Sequence, residues 1–181
     1  MKKFSFLLLF LLTACATRGP LESKVLQGEV GEVDVIVFSS TDCPIANAMA
    51  PEIERIHQTV KSNGGDLFLI HVWDGRTYTD ANVHAKEYGL TMEILVDSDH
   101  ELVKKFNAIV TPEAVVISYD TLGHPQVIYQ GLINNFFDSP GNRRDEASEH
   151  YVLEAILATQ SNRGVVPSYR TPTGCVIEQK Q

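Results

Sequence analysis

The chain opens on an apolar run, Phe4 to Leu12, interrupted only by Ser5. Met1-Lys2-Lys3 precedes it and Leu12-Thr13-Ala14-Cys15 closes it. A basic start, a short apolar stretch and small residues before a cysteine predict a signal peptide over residues 1–14. The run is about half of the ~20 residues a spanning helix needs, which argues against a permanent transmembrane segment. Residues 15–31 are polar and contain Gly19-Pro20, and they predict a tether ahead of a domain over 32–181.

Beyond the tether, strand-like and helix-like patterns alternate. Val33 to Phe38 is a β-branched run that predicts a buried strand, and Ser39-Ser40-Thr41-Asp42-Cys43-Pro44 follows it directly. Ile45, Met49, Ile53, Ile56 and Val60 then recur at helical spacing, with Pro44 suited to the first turn. Further strands are predicted over Asp66–Trp73, Glu93–Asp97, Ala114–Tyr119 and Gln126–Gln130, and helices over Asp80–Tyr88, Asp99–Phe106 and Arg144–Thr159. Alternation that ends in a hairpin and a closing helix predicts an α/β sandwich, a central mixed sheet flanked by helices. Pro112, just before a strand, would break a ladder unless it serves a turn or a cis bond.

Charge narrows the function. Loss of Lys2 and Lys3 with the leader leaves 13 of the 15 basic residues against 23 acidic ones, a formal charge of −10 in place of −8. That excludes a nucleic-acid partner and a surface that hugs anionic lipid. The 167 residues from Cys15 onward suit one domain with a sizeable core.

The cysteines carry the chemistry. Besides Cys15 there are two, Cys43 and Cys175, able to form one pair in an exported, oxidising setting. Cys43 falls at a strand-to-helix junction, where unpaired N–H groups and the helix dipole favour a thiolate. Two readings stay open: a reactive thiol with a partner, or a static staple between the early domain and the tail.

These residues carry two resemblances. Leu12-Thr13-Ala14-Cys15 resembles the lipobox of bacterial lipoproteins, which implies lipid on Cys15 and a domain held at a membrane of the cell envelope by that lipid alone. Ser40 to Asn47, Ala50-Pro51-Glu52, Val110 to Ala114, Tyr129-Gln130-Gly131 and Thr173 to Ile177 are similar to exported proteins of the thioredoxin-like fold, in its redoxin or peroxiredoxin-like branch of AhpC/TSA type. The resemblance implies that Cys43 is the nucleophile and Cys175 a candidate resolving thiol. It also implies that Pro112, after Thr111, is a cis-proline shaping a groove for an extended partner. Ser40 supplies the hydroxyl of the peroxide-reducing pattern, while Ile36 stands where that pattern has proline. Ala46 occupies the position three after Cys43, so no Cys-x-x-Cys disulfide can form.

The implied activity is that of an envelope thiol-disulfide oxidoreductase or thiol peroxidase, acting on a disulfide, a peroxide or an envelope redox protein. The alternative is a non-catalytic binding module with a structural Cys43–Cys175 disulfide. No cofactor is expected. His84 and His100 lie where the family also carries histidines, and with Cys43 or Cys175 they would suit copper or zinc. No tight His-x-x-x-His spacing supports such a site, and none is expected. His57 and His71 read as packing or surface, Trp73 as rim packing, and Phe136-Phe137 as loop aromatics that meet a partner or close the core.

Overall fold

The computed structural model describes residues 19–72, 75, 77–165 and 168–178. The predicted leader, Cys15, Trp73 and Asp74 lie outside them. Helix α1 covers Pro20–Val25, strand β1 Val33–Ser39, helices α2 and α3 Pro44–Ala48 and Ala50–Ser62, and strand β2 Leu67–Val72. Helix α4 covers Tyr78–Glu87, β3 Glu93–Asp97, α5 Glu101–Phe106, β4 Val110–Thr111, β5 Glu113–Tyr119 and β6 Pro125–Gly131. Short strands β7 (Phe137–Ser139) and β8 (Asn142–Arg143) precede helix α6 (Tyr151–Gln160), and β9 (Tyr169–Arg170) and β10 (Cys175–Val176) close the chain.

Six strands form one mixed sheet in the order β3-β2-β1-β5-β6-β9. Strands β1, β2 and β3 run parallel, β5 runs antiparallel to both β1 and β6, and β9 joins β6 in parallel. All seven residues of β1 are buried, as a central strand covered on both faces requires. Val33, Val35 and Val37 pack with α3, α4 and α6 through Ile53, Ile56, Ala81, Val152 and Ile156. Ile36 and Phe38 point into the opposite layer, with Leu102 and Phe106 of α5 and Val25 at the end of α1. Full burial of each such side chain contributes roughly 1.5–3 kcal/mol.

Three departures from the sequence reading have local causes. The polar segment assigned to the tether contains α1, and Val25 and Leu26 bury against the domain. The single helix expected after Pro44 is two, because Pro51 in the first turn of α3 cannot donate an N–H to continue the ladder from α2. The helix expected from Arg144 begins only at Tyr151. Ahead of it, Asn135 accepts from Ser148 N and Glu149 N at 2.9 and 3.0 Å, an alternative partner that holds the backbone in a loop. Among the described residues no helix is long and apolar enough to cross a membrane.

Candidate active site

Strand β1 ends at the sheet edge where the chain turns through Ser40 to Asp42, and Cys43 caps α2. The Cys43 backbone is extended, and its Sγ accepts from Ala46 N at 3.4 Å. Cys43 N–H donates to Ser40 O at 3.2 Å, which closes the turn. Asn47 reaches back from α2: its Nδ2 donates to Thr41 O at 3.1 Å, and its Oδ1 lies 2.8 Å from His84 Nε2 on α4. The loop carrying Cys43 is thereby braced against a neighbouring helix.

The Thr111–Pro112 peptide bond is cis, as the resemblance implied. The Cys43 thiol donates to the Thr111 carbonyl oxygen at 2.9 Å. Glu113, only 1% exposed, pins the approach to this turn: its carboxylate accepts from Ile109 N at 2.9 Å and from Gln130 Nε2 at 2.7 Å. Gln130 Nε2 also donates to Phe106 O at 2.8 Å. Both residues stand in the segments that resemble the family, yet sequence alone gave them no role. A buried carboxylate beside a proline was the available signal, since such a group must find partners.

Cys175 arrives by a short antiparallel ladder. Strand β10 pairs with β4, placing Cys175 opposite Thr111 and Val176 opposite Val110, and Ile177 N–H donates to Ile109 O at 2.9 Å. Gly174 permits the approach, because a Cβ there would sit 2.2 Å from the Thr111 carbonyl oxygen. Cys175 consequently packs against Cys43, Ile45 and Ala46, with Phe137 completing the cluster. Both cysteines are free thiols; Cys43 is buried at 1% exposure and Cys175 is half-buried.

Their electrostatics diverge. Burial opposes ionisation of Cys43, but hydrogen bonds from the Cys175 thiol, the Ala46 N–H and the Thr111 side chain outweigh it and hold the thiol below its ordinary value. One of these donors, Ala46 N–H, is a first-turn amide of α2 left without a helical partner, the kind of group the strand-to-helix junction was expected to offer a thiolate. Burial pushes the Cys175 thiol up to about 11, and hydrogen bonding to Cys43 adds to the rise.

A cleft of about 330 Å³ opens on the pair, lined by Ser40, Asp42, Cys43, Thr111, Cys175 and Glu178 among others. Pro112, Ile45, Met49, Ile133 and Phe137 line a small, largely apolar hollow, and Phe137 also packs against the Cys43 cluster. The structure thus brings together Ser40, Cys43, Thr111, Pro112 and Cys175. The two histidines weighed for a metal belong to different elements, His84 to α4 and His100 to the N-cap of α5. His84 packs its ring on Tyr88 and edge-on to His71, whereas His100 is buried at the start of α5. Among the described residues no group of three or more His, Cys, Asp or Glu side chains is placed to hold a metal ion.

The AhpC/TSA family matches residues 17–127, more than half of the sequence and the part that contains Cys43 and Pro112. The chain belongs to the AhpC/TSA family. The AhpC/TSA match ends before Cys175, so the tail strand lies outside the shared region. Solved structures share this fold. An uncharacterized conserved protein from Geobacillus kaustophilus is 22% identical, with 87% of this chain and 81% of that one covered and a TM-score of 0.70. A hypothetical protein from Sinorhizobium meliloti 1021 is 18% identical, with 87% and 84% covered and the same TM-score of 0.70. No match is found among curated proteins. Membership in the AhpC/TSA family supports a redox function in general terms.

Proposed function

We propose that the protein is a thiol-based oxidoreductase of the cell envelope, with Cys43 as nucleophile and Cys175 as resolving thiol. The observation that carries this reading is the β10–β4 ladder, which sets a second thiol against Cys43 and supplies a hydrogen bond that favours the Cys43 thiolate. The envelope location rests on the N-terminal pattern ending at Cys15.

The chemistry follows from the two ionisation tendencies. The Cys43 thiolate attacks a peroxide oxygen or a disulfide sulfur, and the O–O or S–S bond breaks as the leaving group takes a proton or departs as thiolate. Cys43 is then a sulfenic acid or a mixed disulfide. Cys175 attacks Cys43 sulfur, releases water or the second thiol, and leaves a Cys43–Cys175 disulfide; the two thiols together supply the two electrons. Thr111 and Pro112 hold the nucleophile's surroundings, and Ser40 lines the cleft by which an oxidant enters.

The test is one equivalent of hydroperoxide or small disulfide added to the reduced protein, read by peptide mass spectrometry after alkylation. The wild type forms the Cys43–Cys175 disulfide, Cys175→Ser stops at modified Cys43, and Cys43→Ser consumes no oxidant at this site. One observation favours a second reading, a binding module with a structural disulfide: Cys43 is only 1% exposed. A wild-type protein that leaves Cys43 unmodified in this assay would support that module and contradict the oxidoreductase.

A further inference from the structure

Strand β4 is two residues long, and its pairing partner in the small separate sheet is the C-terminal strand β10. A short strand ending at a cis-proline beside a nucleophilic cysteine is an edge on which an extended polypeptide can pair, by the general physics of strand addition. Here the chain's own tail fills that edge, and three features hold it there. Gly174 lies against the Thr111 carbonyl where no Cβ fits. Cys175 and Val176 pair with Thr111 and Val110. Ile177, 5% exposed, anchors the far end in the layer built by Phe38, Leu102 and Phe106. With the tail in place, a cleft of about 330 Å³ among the described residues still opens on Cys43, and the exposed carboxylic side chains of Asp42 and Glu178 stand in its lining.

We propose that strand β10 is a strap that selects the substrate: it excludes polypeptide disulfides from the β4 edge and admits to Cys43 only a small, uncharged oxidant, a hydroperoxide. This deepens the proposed function and rests on Cys43 being its nucleophile. In the admitted reaction the Cys43 thiolate attacks the terminal peroxide oxygen, an S–O bond forms, the O–O bond breaks, and the leaving oxygen takes up a proton. Cys175 then forms the S–S bond as the sulfenic oxygen leaves as water. The strap therefore filters the first step and supplies the second thiol for the next. A polypeptide disulfide can react only in the fraction of molecules whose tail has opened locally.

Single-turnover kinetics separate filter from nucleophile. Cys175→Ser keeps the strand and removes resolution, and Gly174→Val in that background forces the tail off the Thr111 carbonyl. The probes are hydrogen peroxide and a ten-residue peptide whose cysteine is disulfide-linked to thionitrobenzoate, each read at Cys43 by peptide mass spectrometry. Lifting the tail is expected to raise the peptide rate by about tenfold or more, because reaction is no longer limited to the open fraction. The hydrogen peroxide rate is expected not to rise, and to fall to the extent that the tail's donation to the Cys43 thiolate is lost. Peptide rates equal in the two variants, or both probes accelerated alike, would overturn the strap while leaving Cys43 as nucleophile. A Cys43 inert to both probes in both variants would overturn the nucleophile, and the strap with it. Ile177→Ser in the Cys175→Ser background, which loosens the anchor and leaves the turn intact, carries the same expectation should the glycine variant fail to fold.

Discussion

Gly174 rests so closely on Thr111 that a Cβ would come within 2.2 Å of the carbonyl oxygen which also accepts the Cys43 thiol. One backbone oxygen thus sets the position of both the nucleophile and the tail. Gly174→Ala must move one of them. Since β4 is fixed by the buried Glu113 and its partners, the tail should yield. The expected result is Cys43–Cys175 disulfide formation slowed by about tenfold or more, as a shift of contact geometry by an ångström can do. Stopped-flow mixing with oxidant, quenched by alkylation, measures it, and the melting temperature should change little because only a two-residue strand is disturbed.

The divergent ionisation of the two thiols gives a pH signature. Cys43 should alkylate with a midpoint below that of an ordinary cysteine, while Cys175 stays protonated until about 11. Cys175→Ala removes a donor to the Cys43 thiolate, so the Cys43 midpoint should move up and its rate at neutral pH should fall. A midpoint that moves down would mean that burial by the tail, not donation from it, dominates.

Asn47 bridges Thr41 O and His84 across the nucleophile loop. Each hydrogen bond is worth about 0.5–1.5 kcal/mol. Asn47→Ala should slow Cys43 oxidation by roughly tenfold, the equivalent of about 1.4 kcal/mol, with a retained circular dichroism spectrum. Oxidation at the wild-type rate would show that the brace does not position the thiol.

Away from the site, Tyr119 donates to the buried Asp34 carboxylate, which also accepts from Asp66 N at 2.8 Å. Burial holds the Asp34 carboxyl above its ordinary value. The folded state therefore favours the protonated form, and this group's contribution is fully present below the ordinary carboxylate range and is lost as pH rises through the raised value. Tyr119→Phe leaves the carboxylate short of a donor and should destabilise by about 1–3 kcal/mol in urea unfolding. The penalty should be larger at neutral pH, where the group is charged, than in acid.

The parts of this fold that read well from sequence were those with enough residues to show a period. The run Val33 to Phe38 followed by Cys43-Pro44 placed Cys43 at the junction of β1 and α2, and Pro112 ahead of a β-branched run marked the cis turn. The misread parts turn on single side chains. Asn135 takes the backbone N–H groups that a helix from Arg144 would have used, and nothing in the pattern of residues 144–150 announces a partner thirteen positions away. Polar flanks hid the two apolar residues that tie α1 to the core. Strand β10 is two residues long, with Val176 80% exposed, so no alternation marks it. Gly174-Cys175 was visible only through resemblance, and its meaning came from the carbonyl it lies against.

The most direct test of the account is the reduction potential of the Cys43–Cys175 pair, measured in the folded protein by alkylation and mass spectrometry across a dithiothreitol series. An exchangeable catalytic pair predicts a potential well above roughly −300 mV, with the fold unchanged between the dithiol and disulfide forms. A pair that stays oxidised at potentials below that value, while the fold remains intact, would make the disulfide structural and contradict the assignment of Cys43 as nucleophile.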